Sequence, residues 1–155
     1  MKREWEAVKA EYRNHPGYRE VGKMMYDICR RFHSDLPLEL CCSMSLPDFT
    51  HYVHSLGYRA DDSIDIDLEI LSRPAAMSHP MDCKKSCIML GCWAENMGYP
   101  YHFVAVAEAD QNGDGVIDDA DVHHVIILIN VDGELTMIDP TRNLDTVTPK
   151  YSEVL

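Results

Sequence analysis

The dipeptide Asp132-Gly133 constrains this chain more than any other feature. It separates two runs of strand character, residues 125–131 and Glu134–Ile138, by two residues alone. Connections of this length and composition form primed turns, whose twist matches the flanking strands, so the pair reads as a β-hairpin. A two-residue turn also sets the register, because a slip of one would turn every side chain to the wrong face. Position 139, closing the second strand, then lies roughly opposite position 126, near the start of the first. The first run is too apolar for an edge that faces water on both sides. Ahead of it, Tyr101–Ala107 reads as a further strand.

The segments before the strands carry helical periods. Residues 3–13 place Trp5, Val8 and Tyr12 on one face, and Asn14-His15-Pro16-Gly17 stops that helix. Residues 18–33 form a second helix with the stripe Tyr18, Val21, Met25, Ile28 and Phe32. A third covers 46–56, with Pro47 in its first turn and Gly57 at its end. Between 61 and 71, isoleucine and leucine alternate with polar residues in a weak strand pattern. Ser72-Arg73-Pro74 starts a short helical turn that His79-Pro80 ends. A fourth helix spans Cys83–Met97, with Asp82 as N-cap, Gly98 as C-terminal cap and a buried stripe of Cys87, Leu90, Ala94 and Met97. Helices followed by an antiparallel sheet make an α+β chain. The 155 residues suit one domain, 1–155, able to bury a core without staples.

An acyl-transfer site needs a thiolate, a base and a group that fixes the base's tautomer. Cys83 stands where free helical N–H groups and the helix dipole favour negative charge. His123 and His124 open the apolar strand, and Asp139 closes its hairpin partner. Alternation puts His123 on the opposite face from His124. Singly, each has a plainer explanation. A cysteine on a helix is most often a small buried hydrophobe, and Asp-Pro-Thr is a common turn. It is their order and spacing together that point to a triad. Cys83, Cys87, His123 and His124 offer a competing zinc set, but the cysteine spacing sits at the edge of the usual range and adjacent histidines rarely share an ion. Cys87 and Cys92 read as core, and Cys41-Cys42 fits no motif.

Asp82-Cys83, an apolar helix ending in Gly98-Tyr99-Pro100, the strand Phe103-Val104-Ala105-Val106, then His124-Val125-Ile126-Ile127 and Ile138-Asp139-Pro140-Thr141 resemble the transglutaminase-like family. The likeness covers roughly residues 74–141 and is nearest to the small stand-alone members of phages and prophages. It implies a cysteine-proteinase/transglutaminase-like core, in which N-terminal helices and a nucleophile-bearing helix pack on a small antiparallel sheet. Cys83 would be nucleophile, His124 base and Asp139 orienter. The chain departs from the family in Met81, where Gly usually precedes Asp-Cys, and in Lys84 and Lys85, where acids usually follow. The implied activity is thiol-dependent acyl transfer or hydrolysis on peptide or glutamine-type amides, with hydrolysis favoured because so short a chain lacks the extra domains of the crosslinking enzymes. The rival is a non-catalytic, calcium-stabilised structural or virion-associated protein of the same fold, with an assembly partner.

Residues 110–121 form a twelve-residue loop with oxygen side chains at positions 1, 3, 5, 9 and 12: Asp110, Asn112, Asp114, Asp118 and Asp121. Gly115 occupies position 6, Val116 offers its carbonyl at position 7, and Ile117 tethers the loop at position 8. Hard oxygen ligands at this spacing suit Ca²⁺. The loop resembles those of EF-hands and, with Asp at position 12, more closely those of dockerins, although a strand precedes it. A solvated acidic loop is the plain alternative, and a docking module is a weaker one, since dockerins use two loops. Asp121 lies three residues before His124, so Ca²⁺ is expected to set the strand that carries the base.

The remaining composition bounds the partners. A formal charge of −12, from 26 acids against 14 bases, repels nucleic acid and favours dications or basic surfaces. A protein or peptide substrate fits this better. No apolar stretch is long enough for a membrane span. No secretory h-region follows Met1, so the six cysteines are expected to stay mostly reduced, in the cytoplasm of the producing or host cell or in a virion.

Overall fold

The computed structural model describes residues 17–57, 83–141 and 149–155. The expected helix over 3–13, the strand over 61–71, the turn at Ser72-Arg73-Pro74 with its end at His79-Pro80, and the Asp82 cap lie outside them. Among the described residues, helices α1 (Tyr18–Phe32), α2 (Leu38–Cys42), α3 (Leu46–Ser55) and α4 (Cys83–Met97) precede strands β1 (Tyr101–Ala107), β2 (His124–Val131) and β3 (Glu134–Ile138). A last strand, β4 (Tyr151–Val154), returns to the sheet, which is antiparallel in the order β3-β2-β1-β4. The chain is therefore α+β. No helix among the described residues is long and apolar enough to cross a membrane.

The hairpin forms in the expected register. Val131 pairs with Glu134 and Ile127 with Ile138. Asp132 and Gly133 both take positive φ, 51° and 90°, which is the backbone of a type I′ turn. β2 lies between β1 and β3, as its apolar run requires. Its inner face, with Phe103 and Ile138, joins the main core, while Val104, Val106 and Ile126 are buried in a separate cluster.

α4 runs through the middle of the molecule. The expected narrow stripe is in fact burial all round: every residue from Ser86 to Ala94 is buried. Its reason is that α4 packs both against the other helices and against strands β1 and β2 of the sheet. Gly91 permits the close approach of α1, since a Cβ there would stand 2.6 Å from Cys29 Sγ and 3.1 Å from Phe103 Cζ. Trp93 stacks on Phe49 of α3 at 6.2 Å and donates its indole N–H to Cys41 O. The helix closes with a paired motif, Tyr99 N–H to Ala94 O and Gly98 N–H to Glu95 O, with Gly98 at φ 76°. That is the left-handed cap foreseen for this glycine.

Smaller differences have local causes. α1 stops at Phe32 rather than His33, and His33–Asp35 tightens into a 3₁₀ turn. Tyr18 and Val21 are only half-buried, because Tyr18 turns its hydroxyl to Glu153. α3 ends at Ser55, with Ser45 as its N-cap and Gly57 at φ 88° beyond it. α2 and β4 were not expected at all: one is a single turn, and the other shows no apolar alternation. Tertiary bonds hold β4 instead. Tyr26 Oη donates to Leu155 O and accepts from Phe103 N–H, and Leu155 N–H donates to Phe103 O.

Candidate functional site

Three elements deliver the expected residues to one corner. Cys83 is the first residue of α4, His124 the first of β2, and Asp139 follows directly on β3. Cys87, one turn into α4, donates its thiol to Val125 O at 3.5 Å, which seats the start of the helix beside the start of β2. The hairpin register carries Asp139 to the same end of the sheet. His124 Nε2 and Asp139 Oδ2 are 2.6 Å apart, with the two side chains 10% and 0% exposed. The second oxygen of Asp139 accepts from Thr141 N–H at 3.0 Å and from the Thr141 hydroxyl.

The electrostatics follow from this geometry. Burial works to lower the His124 pKa, but the hydrogen bond to Asp139 and the hydrogen-bonding and charge interactions with Cys83 outweigh it, and the imidazole is pushed up to about 9. Burial alone would raise the Asp139 carboxyl. The bonds from His124 and Thr141 instead hold it below the usual carboxylate range. An ionised carboxylate only accepts, so His124 Nε2 carries a proton. Nδ1 is then the nitrogen left for Cys83.

Neighbouring residues sort themselves from this corner. His123 donates Nδ1–H to Asp121 O at 2.9 Å, with Nε2 3.9 Å from Glu108, so it serves the acidic loop. The four-residue zinc set does not assemble: among the described residues, only three aspartates bring three ligand atoms within 4.8 Å of one another. Cys87 and Cys92 are buried, and all six cysteines are free thiols. Two participants escaped the sequence reading. Thr141 was visible only as part of a turn motif. His54, at the end of α3, reaches Pro140 O at 3.3 Å and had no local signal. An apolar groove of about 470 Å³ lies along Trp93, Met97, Val131 and Ile138, and none of Cys83, His124 and Asp139 lines it.

The acidic loop folds on itself. Asp110 accepts from Gly113 and Gly115 N–H, Asn112 from Asp114 N–H, and Asp114 from Val116 N–H. Gly113 and Gly115 take φ 77° and 83°, so the glycine at position 6 does make the sharp turn. Asp121 is buried and accepts from Gln111, Asn112 and Asp118 N–H. These backbone donors, that of Asp118 first, hold its carboxyl below the usual range. Asp110, Asp114 and Asp121 converge within 4.8 Å. Asp118 stands outside this trio and caps the 3₁₀ turn Asp119–Asp121 through Ala120 N–H. Three convergent carboxylates form a hard, anionic donor set that fits a divalent cation. Outside the loop, Arg19 of α1 ties Asp119 to Glu153 of β4.

Comparison with protein-family models, with curated proteins and with solved structures finds no match to this chain.

Proposed function

We propose that this chain is a thiol-dependent acyl-transfer enzyme with a transglutaminase-like, papain-type core, acting on peptide or glutamine-type amides. One observation carries the reading: the buried His124–Asp139 pair, 2.6 Å apart, whose imidazole also interacts with Cys83. A structural Cys, His and Asp have no need to meet, each at the terminus of a different element.

The residues divide the work as follows. Cys83 gives its proton to Nδ1 of His124, and Sγ attacks the carboxamide carbon. The backbone N–H of Cys83, the first residue of α4, helps to stabilise the oxyanion. The C–N bond breaks as His124 returns the proton to the leaving amine, which leaves a thioester on Cys83. Water, activated by His124, then releases the acid and regenerates the thiol. Asp139 fixes the Nε2–H tautomer and stabilises the imidazolium. Hydrolysis, with water as the acyl acceptor, is the outcome we favour over crosslinking.

Ca²⁺ is part of the proposal. Asp110, Asp114 and Asp121 would hold it, with Asn112, the Val116 carbonyl and Asp118 completing the loop's oxygen set. The ion would relieve the repulsion among the carboxylates and order the segment that leads into His124.

The test is iodoacetamide labelling of native protein at neutral pH, mapped by mass spectrometry, with and without Ca²⁺. Selective alkylation of Cys83, slowed by at least about a hundredfold in His124→Ala, is the expected result. Labelling of Cys83 no faster than that of the exposed Cys42 would instead favour a calcium-stabilised structural or virion-associated protein of the same fold.

A further inference from the structure

We infer that His54 is a positioning residue for Asp139, tying the turn that carries the orienting carboxylate to the helical layer that carries the nucleophile; this rests on the triad reading above. β3 ends at Ile138, so Asp139, Pro140 and Thr141 have left the ladder that aligns the rest of the hairpin. Thr141 bonds back to Asp139 through its N–H and its hydroxyl, and these two bonds shape the turn from within. His54 supplies a fastening to α3. Its Nδ1 lies 3.3 Å from Pro140 O. A carbonyl oxygen only accepts, so Nδ1 carries the proton and His54 is the donor.

The anchor itself is rigid. Leu46, Phe49, Thr50 and Val53 of α3 are buried, and Phe49 stacks on Trp93 of α4. α4 begins at Cys83. One continuous path of packed groups therefore runs from the thiol, down α4, across to α3, and through His54 to the Asp139 turn. The sheet supplies the other side of the same corner through His124. A turn held from one side alone would let the carboxylate drift, and small misplacements of an orienting group are costly in rate.

The experiment compares wild type with His54→Ala, His54→Leu, which keeps the bulk without the donor, and His54→Gln, which restores an N–H. Two readouts are taken: the rate of Cys83 alkylation, and the titration midpoint of His124 followed through its imidazole C–H resonances. Since Asp139 holds that midpoint up, a displaced carboxylate lets it fall. The expected result is a lower His124 midpoint and about tenfold slower alkylation in His54→Ala and His54→Leu. His54→Gln should return both towards wild type. A purely structural contact would lower the melting temperature and leave the midpoint in place. Unchanged midpoints in both donor-less variants overturn the inference and leave the triad standing. A wild-type His124 that titrates at the ordinary imidazole value overturns the triad, and the role of His54 with it.

Discussion

The Cys83–His124–Asp139 corner and the 110–121 loop were both legible as motifs, yet they are built in opposite ways. Every hydrogen bond that shapes the loop interior joins residues no more than 10 apart in the chain. The corner is assembled from the termini of three elements, and its anchor to α3, His54 to Pro140, spans a separation of 86. The loop is exposed apart from the buried Asp121 and the half-buried Asp110, Ile117 and Asp118, whereas Asp139 is fully buried. A local motif can keep its shape while the rest of the molecule loosens. A corner of this kind exists only while α4 and the hairpin stay packed. Local sequence thus suffices to shape the loop and its carboxylate cluster, and tertiary packing is required to bring the residues of the corner together.

The sharpest way to separate the two regions is Asp139→Asn. It removes the charge that holds the His124 imidazolium, and Cys83 alkylation should slow by roughly a hundredfold or more. Hydrogen exchange across residues 110–121 should not change. If exchange in the loop rises as well, the two regions are one cooperative unit and the contrast between them fails.

Gly91→Ala reaches the corner through packing alone. The new methyl meets Cys29 Sγ and Phe103 Cζ in a full core, and overpacking of this kind costs about 1–3 kcal/mol. Urea unfolding should register that loss, with the Ca²⁺ response of the loop retained.

Removal of Ca²⁺ tests the reverse dependence. Chelation should speed hydrogen exchange across residues 110–125, lower the melting temperature, and slow Cys83 alkylation by about tenfold or less, because only the approach to His124 is disturbed. Asp114→Asn should abolish the difference between chelated and Ca²⁺-loaded protein. Equal exchange with and without Ca²⁺ would remove the ion from the account and leave a solvated acidic loop.

The pH dependence of stability belongs to the corner. His124 is raised from 6.5 to about 9, so its contribution is fully present below pH 6.5 and is lost as pH rises through about 9. Asp139 is held low, so its contribution is present above the usual carboxylate range and is lost as pH falls through its lowered value. Denaturation midpoints measured across that span should form a plateau with both limbs shallower in Asp139→Asn. The smallest effect is expected from Arg19→Ala. That ion pair with Asp119 and Glu153 is exposed at the arginine, and its loss should leave the melting midpoint within error.

How much of this was legible in the sequence can be argued element by element. The 83–97 helix and its glycine cap, the 101–107 strand and the two-residue turn were all foreseen, because each is encoded by neighbours in the chain. The hairpin register followed from that turn, and with it the arrival of Asp139 beside the start of β2. The choice of His124 over His123 rested on the resemblance, in which the histidine directly precedes the apolar strand, with alternation putting His123 on the other face; the two rings do go to different partners. β4 was not legible, since Tyr151–Val154 shows no apolar alternation and is held by Tyr26 and β1. α2, a single turn, was missed for a similar reason. The burial of α4 on every side also escaped, because a helix pattern records one preferred face and cannot say how many layers will cover it. His54 is the plainest case: its sequence surroundings describe only the end of a helix.

By itself, then, the sequence determined the α+β order of elements, the oxygen side chains and glycine turns of the loop, and which Cys, His and Asp stand at element termini. These properties depend on periodicity, turn chemistry and capping, all of which act over a few residues. Tertiary structure alone decided that His124 and Asp139 would meet at 2.6 Å in a buried corner, that Cys83 would interact with the same imidazole, and that His54 would reach Pro140 O in the adjoining turn. Those facts depend on close packing at Gly91 and between Trp93 and Phe49. Packing is a property of surfaces far apart in the chain, and no window of neighbouring residues contains it.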